Sequence, residues 1–365
     1  MSHEIGLRII ERLDAVRPGV KRQDFARSVG MDPSAFSRAL SGKRGFATSE
    51  VVAIARALDT DTDFLLTGDR DPLLVRKAAR CTYSPQNQTY SAPSTDDQVI
   101  QNIKTAYGQV WPKGVPGGPR VPDDPAAVRE LLGAGFAQDF ANRVEEKLGI
   151  DIIQVVEVDT DYTLWIGECQ VILLNATPYW FRRNWSLAHE LAHVARNDWI
   201  EGNDPQADSE YQAHQFAAEL LAPAVLMRDI PWTTLTVQEV AQRVLDFGVS
   251  TTVLRRRLTD LNIDIEGSKA QSALALSTPK LINAHLAPSE RAKYARAEQG
   301  ATARRFPDLL VWMHQSEVDS GSLAPDFLAW MLGVQTDDFD VVPQSAPPAV
   351  SELELAAELG LELSK

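Results

Sequence analysis

Apolar residues recur at helical spacing along most of the chain, and one central stretch breaks into strand-like runs. Between residues 3 and 68, Ile5, Ile9, Ile10 and Leu13 share one face, and Phe25, Ala26 and Val29 share a second. The second of these helices stops at Gly30, after which Asp32-Pro33-Ser34 supplies a cap and a helix-starting proline. A third helix carries Ala35, Phe36 and Leu40, and a fourth, from Ser49, carries Val52, Ile54, Ala55 and Leu58. Short helices joined by three- or four-residue turns form the pattern of a helix-turn-helix unit.

Residues 80–127 are broken by seven prolines from Pro85 to Pro125 and read mostly as linker, apart from a helix between Thr95 and Val110. A helix or helix pair is expected from Asp124 to Gly149. A buried strand follows over Ile150 to Val158, with two more over Tyr162 to Ile166 and Gln170 to Leu174. Further helices are expected around His189, from Asp208 to Leu221, and on both sides of Gly248-Val249-Ser250. The last hundred residues read as helical fragments, ending in a Leu/Glu segment from Ser351 to Leu363. The fold class that follows is mainly α with a small β-sheet (α+β). The expected boundaries are 1–72, a 73–123 linker with one helix, 124–265, and a helical region over 266–365.

Composition sharpens this picture only in places. A net charge of -14 excludes a general nucleic-acid sponge, but residues 1–70 hold 11 Lys+Arg against 10 Asp+Glu. The acid therefore belongs to the rest of the chain, and the first domain remains free to approach phosphates. Cys81 and Cys169 are far apart, which argues against a disulfide framework or a thiolate metal site; Cys169 reads as a strand residue. Met1 to Leu7 is polar and no apolar run approaches the ~18 residues a membrane span needs, so a cytoplasmic protein without membrane contact is expected.

The chemistry concentrates in His189-Glu190-Leu191-Ala192-His193. Positions i and i+4 of a helix share a face, so both imidazoles can meet one ion. Glu190 projects beside it, placed to take a proton from a water and pass it to a leaving amine. Zinc suits these donors, with manganese as an alternative, and a catalytic site needs a third protein ligand and one open position. Glu210, an acidic residue at the start of the next helix, is the natural third ligand, and His214, one turn on, is its rival. Tyr211 is placed either to stabilise an oxyanion or to pack, and Glu219 is an alternative carboxylate expected on the helix surface. His3, His285 and His314 have no ligand-like neighbours and read as surface residues.

The helix after the motif reads Glu210-Tyr211-Gln212-Ala213-His214-Gln215-Phe216-Ala217-Ala218-Glu219-Leu220-Leu221-Ala222-Pro223. Together with His189 to His193 it resembles the ImmA/IrrE-type zinc metallopeptidases over roughly Asp124 to Ile263. The resemblance implies a zincin-like domain in which His189, His193 and Glu210 hold the metal and Glu190 is the general base. A histidine at position 214 departs from the acidic or amide side chain common there, whose duty is to orient a metal-bound histidine. The stretch Phe25 to Arg44, with Phe64-Leu65-Leu66-Thr67-Gly68, resembles Xre-type (lambda-repressor-like) helix-turn-helix domains. That resemblance puts Ser34, Ser37 and Arg38 on base edges and Arg22, Lys43 and Arg44 on phosphates. Use of the same helices only for homodimerisation is the alternative.

Members of the metallopeptidase family cut helix-turn-helix repressors after stress or during mobile-element induction, so a zinc endopeptidase with a DNA-binding domain in cis is the function implied. Two other readings stay open: a regulator whose peptidase-like domain senses a ligand without cutting, and a self-processing regulator cleaved in its Pro-rich linker.

Overall fold

A computed structural model describes residues 2–58, 60, 62–68, 71–79, 82–84, 89–91, 96–197 and 207–336. It forms two compact units, Met1–Pro307 and Asp308–Lys365. Cys81 and the Ser351 to Leu363 segment lie outside the described residues, as does the side chain of His3.

Five helices open the chain: α1 (Ser2–Val16), α2 (Arg22–Ser28), α3 (Pro33–Leu40), α4 (Thr48–Ala57) and α5 (Thr62–Thr67). Ile5, Ile9 and Leu13 of α1 meet Phe25, Phe36, Val51, Ile54, Leu58 and Leu65 in a core of their own. Asp32 caps α3, its Oδ1 accepting from the backbone N–H groups of Ser34 (3.0 Å) and Ala35 (2.9 Å), and Pro33 starts the helix.

Strand β1 (Val75–Ala79) comes next, inside the stretch expected to be linker. It lies antiparallel to a later strand, and the short pair β2 (Thr82–Ser84) and β3 (Thr89–Ser91) follows it. This corrects the reading of 73–123 as a linker with one helix. The Val-Arg-Lys-Ala-Ala sequence has no period-2 pattern, because an edge strand is stabilised by the partner it pairs with and not by its own residues. Helix α6 (Asp97–Val110) is the one helix expected there.

Helices α7 (Pro125–Leu132) and α8 (Phe140–Leu148) flank a short 3-10 turn, and α8 ends at Gly149 in the left-handed conformation (φ 64°). Strands β4 (Asp151–Val155), β5 (Tyr162–Ile166) and β6 (Cys169–Asn175) complete a mixed sheet in the order β1-β5-β6-β4. β4 runs parallel to β6, and β5 is antiparallel to both its neighbours. β5 is buried along its whole length, the mark of a strand covered on both faces. Gly167, in the β5–β6 turn at φ 60°, sits where a Cβ would meet the Pro72 carbonyl oxygen at 2.3 Å. Only glycine lets the lead-in to β1 pass that close.

Helix α9 (Trp180–Arg196) crosses the sheet, and α10 (Ala207–Leu221) packs along it. Leu187, Ala188, Leu191, Ala192 and Val194 are buried with most of the rest of α9, so it is the central helix of the domain, not an amphipathic one. Then follow α11 (Ala224–Asp229), α12 (Val237–Phe247) and α13 (Thr251–Asp260). Thr236 and Glu239 form a capping box at α12, and Ser250 caps α13. Between them Gly248 (φ 64°) is required twice over: a Cβ would strike Asn184 Nδ2 at 2.7 Å and Ala137 Cβ at 2.8 Å.

Helices α14 (Lys269–Leu274), α15 (Thr278–His285) and α16 (Pro288–Thr302) add Ala270, Leu274, Ile282, Tyr294 and Ala301 to the core built by α9, on the far side of the 265/266 boundary expected from sequence. After α16 the chain bridges to the edge of β4, with Gln154 and Arg305 exchanging backbone hydrogen bonds of 2.9 Å. The second unit contains α17 (Asp308–Asp319) and α18 (Asp326–Leu332). The mainly helical architecture with a small mixed sheet is the expected fold class. Among the described residues no helix is long and apolar enough to cross a membrane.

Candidate metal centre

His189 and His193 lie in the second half of α9, one turn apart, on the side facing α10. His189 Nε2 and His193 Nε2 are 3.3 Å apart. Glu210, in the first turn of α10, reaches both: its Oε2 is 3.2 Å from His189 Nε2 and its Oε1 is 3.5 Å from His193 Nε2. An ion bound tetrahedrally with bonds of about 2.0–2.2 Å needs ligand atoms separated by about 3.3–3.5 Å. The three side chains therefore outline one face of such a tetrahedron. Burial acts to raise the Glu210 carboxyl pKa, but hydrogen bonds and charge from His189 and His193 outweigh it and hold the group well below the usual carboxylate range. Glu210 is accordingly an ionised donor.

His214, one turn along α10, faces the same centre instead of solvent. Its ring lies 4.7 Å from that of His189 and stacks at 6.2 Å on Trp185. Ligand atoms of His189, Glu210 and His214 all fall within 4.8 Å of one another. His189 and Glu210 are thus shared by two overlapping sets of donors, one completed by His193 and the other by His214.

Two arginines hold α10 in place at its far end. Arg129 of α7 donates to the Leu220 carbonyl oxygen (2.7 Å), and Arg257 of α13 donates to that of Ala222 (2.9 Å). Both meet carbonyls that have no intrahelical partner, where the helix dipole also favours a cation. Glu219, expected on the helix surface, is partly exposed there, paired with Arg257 and accepting from the backbone N–H of Ala224.

Glu190 is fully buried against β5. Thr163 Oγ1 lies 2.9 Å from the Glu190 carbonyl oxygen and 3.0 Å from its Oε2, so the strand fixes both the helix turn and the carboxylate. Thr163 was not among the residues singled out from sequence; its only local mark is a polar side chain inside an otherwise apolar strand. Asn184, also missed, donates to the Ala137 carbonyl oxygen at 2.8 Å and ties the start of α9 to the neighbouring turn. Tyr211 is 65% exposed, which excludes the packing role. With Trp185, His214, Val253 and Arg256 it lines a cavity of about 360 Å³ beside the centre.

Residues 145–259 match the family model described as the IrrE N-terminal-like domain, peptidase M78. This stretch is a metallopeptidase-like domain. The match takes in β4, β5 and β6, both helices of the centre and the residues His189, His193, Glu210 and His214. No curated protein and no solved structure matches the chain.

The remaining candidates lie apart from the metallopeptidase-like domain's centre. On the N-terminal helices Arg22, Ser34, Ser37, Arg38 and Lys43 are exposed. Ser34 directs its hydroxyl to Asp32 Oδ1 (2.5 Å). Arg44 is turned inward, donating to the Ala35 carbonyl oxygen (3.1 Å) and to Glu50 Oε1 (2.6 Å). Cys169 is buried, and burial with the neighbouring Asp151 pushes its thiol up, away from the thiolate form. His285 is half-buried, whereas His314, expected at the surface, is buried.

Proposed function

We propose that the chain is a zinc-dependent endopeptidase carrying a DNA-binding domain in cis. The observation that supports this best is the meeting of His189, His193 and Glu210 beside a buried glutamate: the two Nε2 atoms are 3.3 Å apart and lie 3.2 and 3.5 Å from the two Glu210 oxygens. These spacings and this N,N,O donor set suit zinc, with manganese as the alternative. When bound, the ion supplies Lewis acidity, acidifying a water and polarising the scissile carbonyl. Glu190 takes the proton from the attacking water and returns it to the leaving amine, and Thr163 holds the carboxylate through both steps. The cavity between Trp185, Tyr211 and Val253 is placed to receive a side chain of the substrate. By the family resemblance the substrate is a helix-turn-helix repressor. In the same reading α3 presents Ser37 and Arg38 to DNA bases, with Arg22 and Lys43 near phosphates.

Glu190→Gln tests the assignment. The variant is expected to keep its zinc and lose about 10²–10⁴-fold in cleavage of a helix-turn-helix repressor. Undiminished cleavage by this variant removes hydrolysis by Glu190 from consideration.

One feature favours a second reading. If His214 joins the other three donors, the ion has four protein ligands and no open position, as in structural or sensing sites. The cobalt-substituted protein separates the two: a spectrum that His214→Asn leaves unchanged supports the open, catalytic site.

A further inference from the structure

A second cavity, of about 450 Å³, lies at the opposite end of α9, where that helix meets α16 and the segment that follows it. Its charge is opposite to that of the chain as a whole. Arg183, Lys293, Arg296, Arg304 and Arg305 line it against a single carboxylate, Asp139. Three of the cations are balanced from outside the cavity: Lys293 by Glu290, Arg304 by Glu157 and Arg305 by Glu145. Arg183 is not. It is 9% exposed, and among the described residues its side chain's one hydrogen bond goes to Asn184 Oδ1 at 3.3 Å.

Three buried donors on the lining residues lack an acceptor among the described residues: Arg183 Nε, Arg305 Nε and the indole Nε1 of Trp180. Buried N–H groups are nearly always satisfied, so a cluster of three marks a place where an acceptor is supplied from elsewhere. Burial, reinforced by the nearby charge of Arg305, pushes Arg183 down to about 10, and Asp139 offsets this only in part. A guanidinium so placed is stabilised by an incoming anion.

The walls are built to keep this shape. Gln154 Nε2 lies 2.6–3.1 Å from the carbonyl oxygens of Gly300, Ala301 and Ala303, which pins the end of α16 to the sheet. The rings of Phe181 and Tyr294 stack at 5.5 Å and lock α16 to the start of α9.

We propose that this cavity is a binding site for a small phosphorylated anion, with Arg183 as its central contact. Buried N–H groups of Arg183 and Arg305 in one cavity lined by five cations suit a phosphate better than a carboxylate, since a phosphomonoester brings about two negative charges and three acceptor oxygens. A volume of 450 Å³ suits a small metabolite. A nucleic-acid strand is disfavoured by the chain's net charge of -14. The site is distinct from the metal centre and does not depend on hydrolysis.

Titration calorimetry of the full, metal-free chain with inorganic phosphate and with ribose 5-phosphate, at constant ionic strength, tests the proposal. One saturable site with a Kd below about 1 mM is expected. Arg183→Met should weaken it at least about tenfold, the loss expected for a charge-assisted hydrogen bond. Arg296→Ala, at an exposed position, should weaken it by about threefold and serves if the first variant fails to fold. His193→Ala should bind as the wild type does. Absence of binding, unchanged affinity in the folded arginine variants, or binding lost with His193→Ala would each overturn the proposal. Equal affinity for acetate would overturn the phosphate assignment.

Discussion

The metal centre and the outer face of α3 use side chains of similar polarity held in opposite ways. His189, Glu190 and His193 are buried, and each is fixed by something outside its own helix: Glu210 from α10, Thr163 from β5. Ser37 and Arg38 on α3 stand in solvent, and the fold is indifferent to where their polar ends lie. Burial is what makes the difference. A desolvated charge or imidazole needs a partner at a defined distance, so geometry at the centre is enforced by the same energetics that hold the domain together. A solvated arginine has water as its partner wherever it points, and its position becomes defined only when a ligand arrives.

This contrast can be broken or sharpened by substitution. The largest effect is expected for His193→Ala, which removes one vertex of the ligand triangle. Zinc affinity measured by chelator competition should fall by more than the roughly 10–100-fold that loss of an outer partner costs. Unchanged affinity would mean that His189, Glu210 and His214 form the binding set without it. Leu191→Ala, inside α9 and fully buried, should lower unfolding stability by about 2–5 kcal/mol in urea, since the sheet and α10 cannot collapse onto the space. A loss under about 1 kcal/mol would show that α9 is less tightly held than its burial implies.

Thr163→Val keeps the shape of β5 but removes the hydroxyl beside Glu190. Turnover should fall about 10–100-fold while zinc content stays stoichiometric. A parallel loss of zinc would place Thr163 in the folding of the centre instead of in the orientation of the base. The smallest effect is expected on α3. Arg38→Ala should shift stability by no more than about 0.5 kcal/mol. If α3 faces DNA, the same change should reduce the salt dependence of duplex binding by about one counterion. Duplex binding by the wild-type chain with no salt dependence at all would remove α3 from the DNA-binding reading.

Much of the domain is legible in the sequence because its signals are local. The i, i+4 spacing of His189 and His193, the helix stop at Gly149, the Asp32-Pro33-Ser34 helix start, and the apolar runs of β5 and β6 are each decided within a few residues. Glu210 was reachable as a donor because it opens a helix after the motif. Strand β1 was not, since Val75 to Ala79 is a strand only by virtue of pairing with β5. Nor was Thr163, whose meaning depends on a glutamate 27 residues away. The partners of Arg44 were hidden for the same reason: next to Lys43 it reads as a phosphate contact, and only the fold brings Glu50 and the Ala35 carbonyl to its guanidinium.

Residue order alone settled which helix bears the two imidazoles, where many of the helices begin and stop, and that Glu190 follows the first of the two histidines, because backbone periodicity and caps are short-range effects. Tertiary packing decided which donors share a point with them, that His214 turns inward, and that five cations gather around one cavity at the other end of α9. Those outcomes depend on elements far apart in the chain meeting in a closed interior, where the cost of an unsatisfied charge selects one arrangement and no local pattern records the choice.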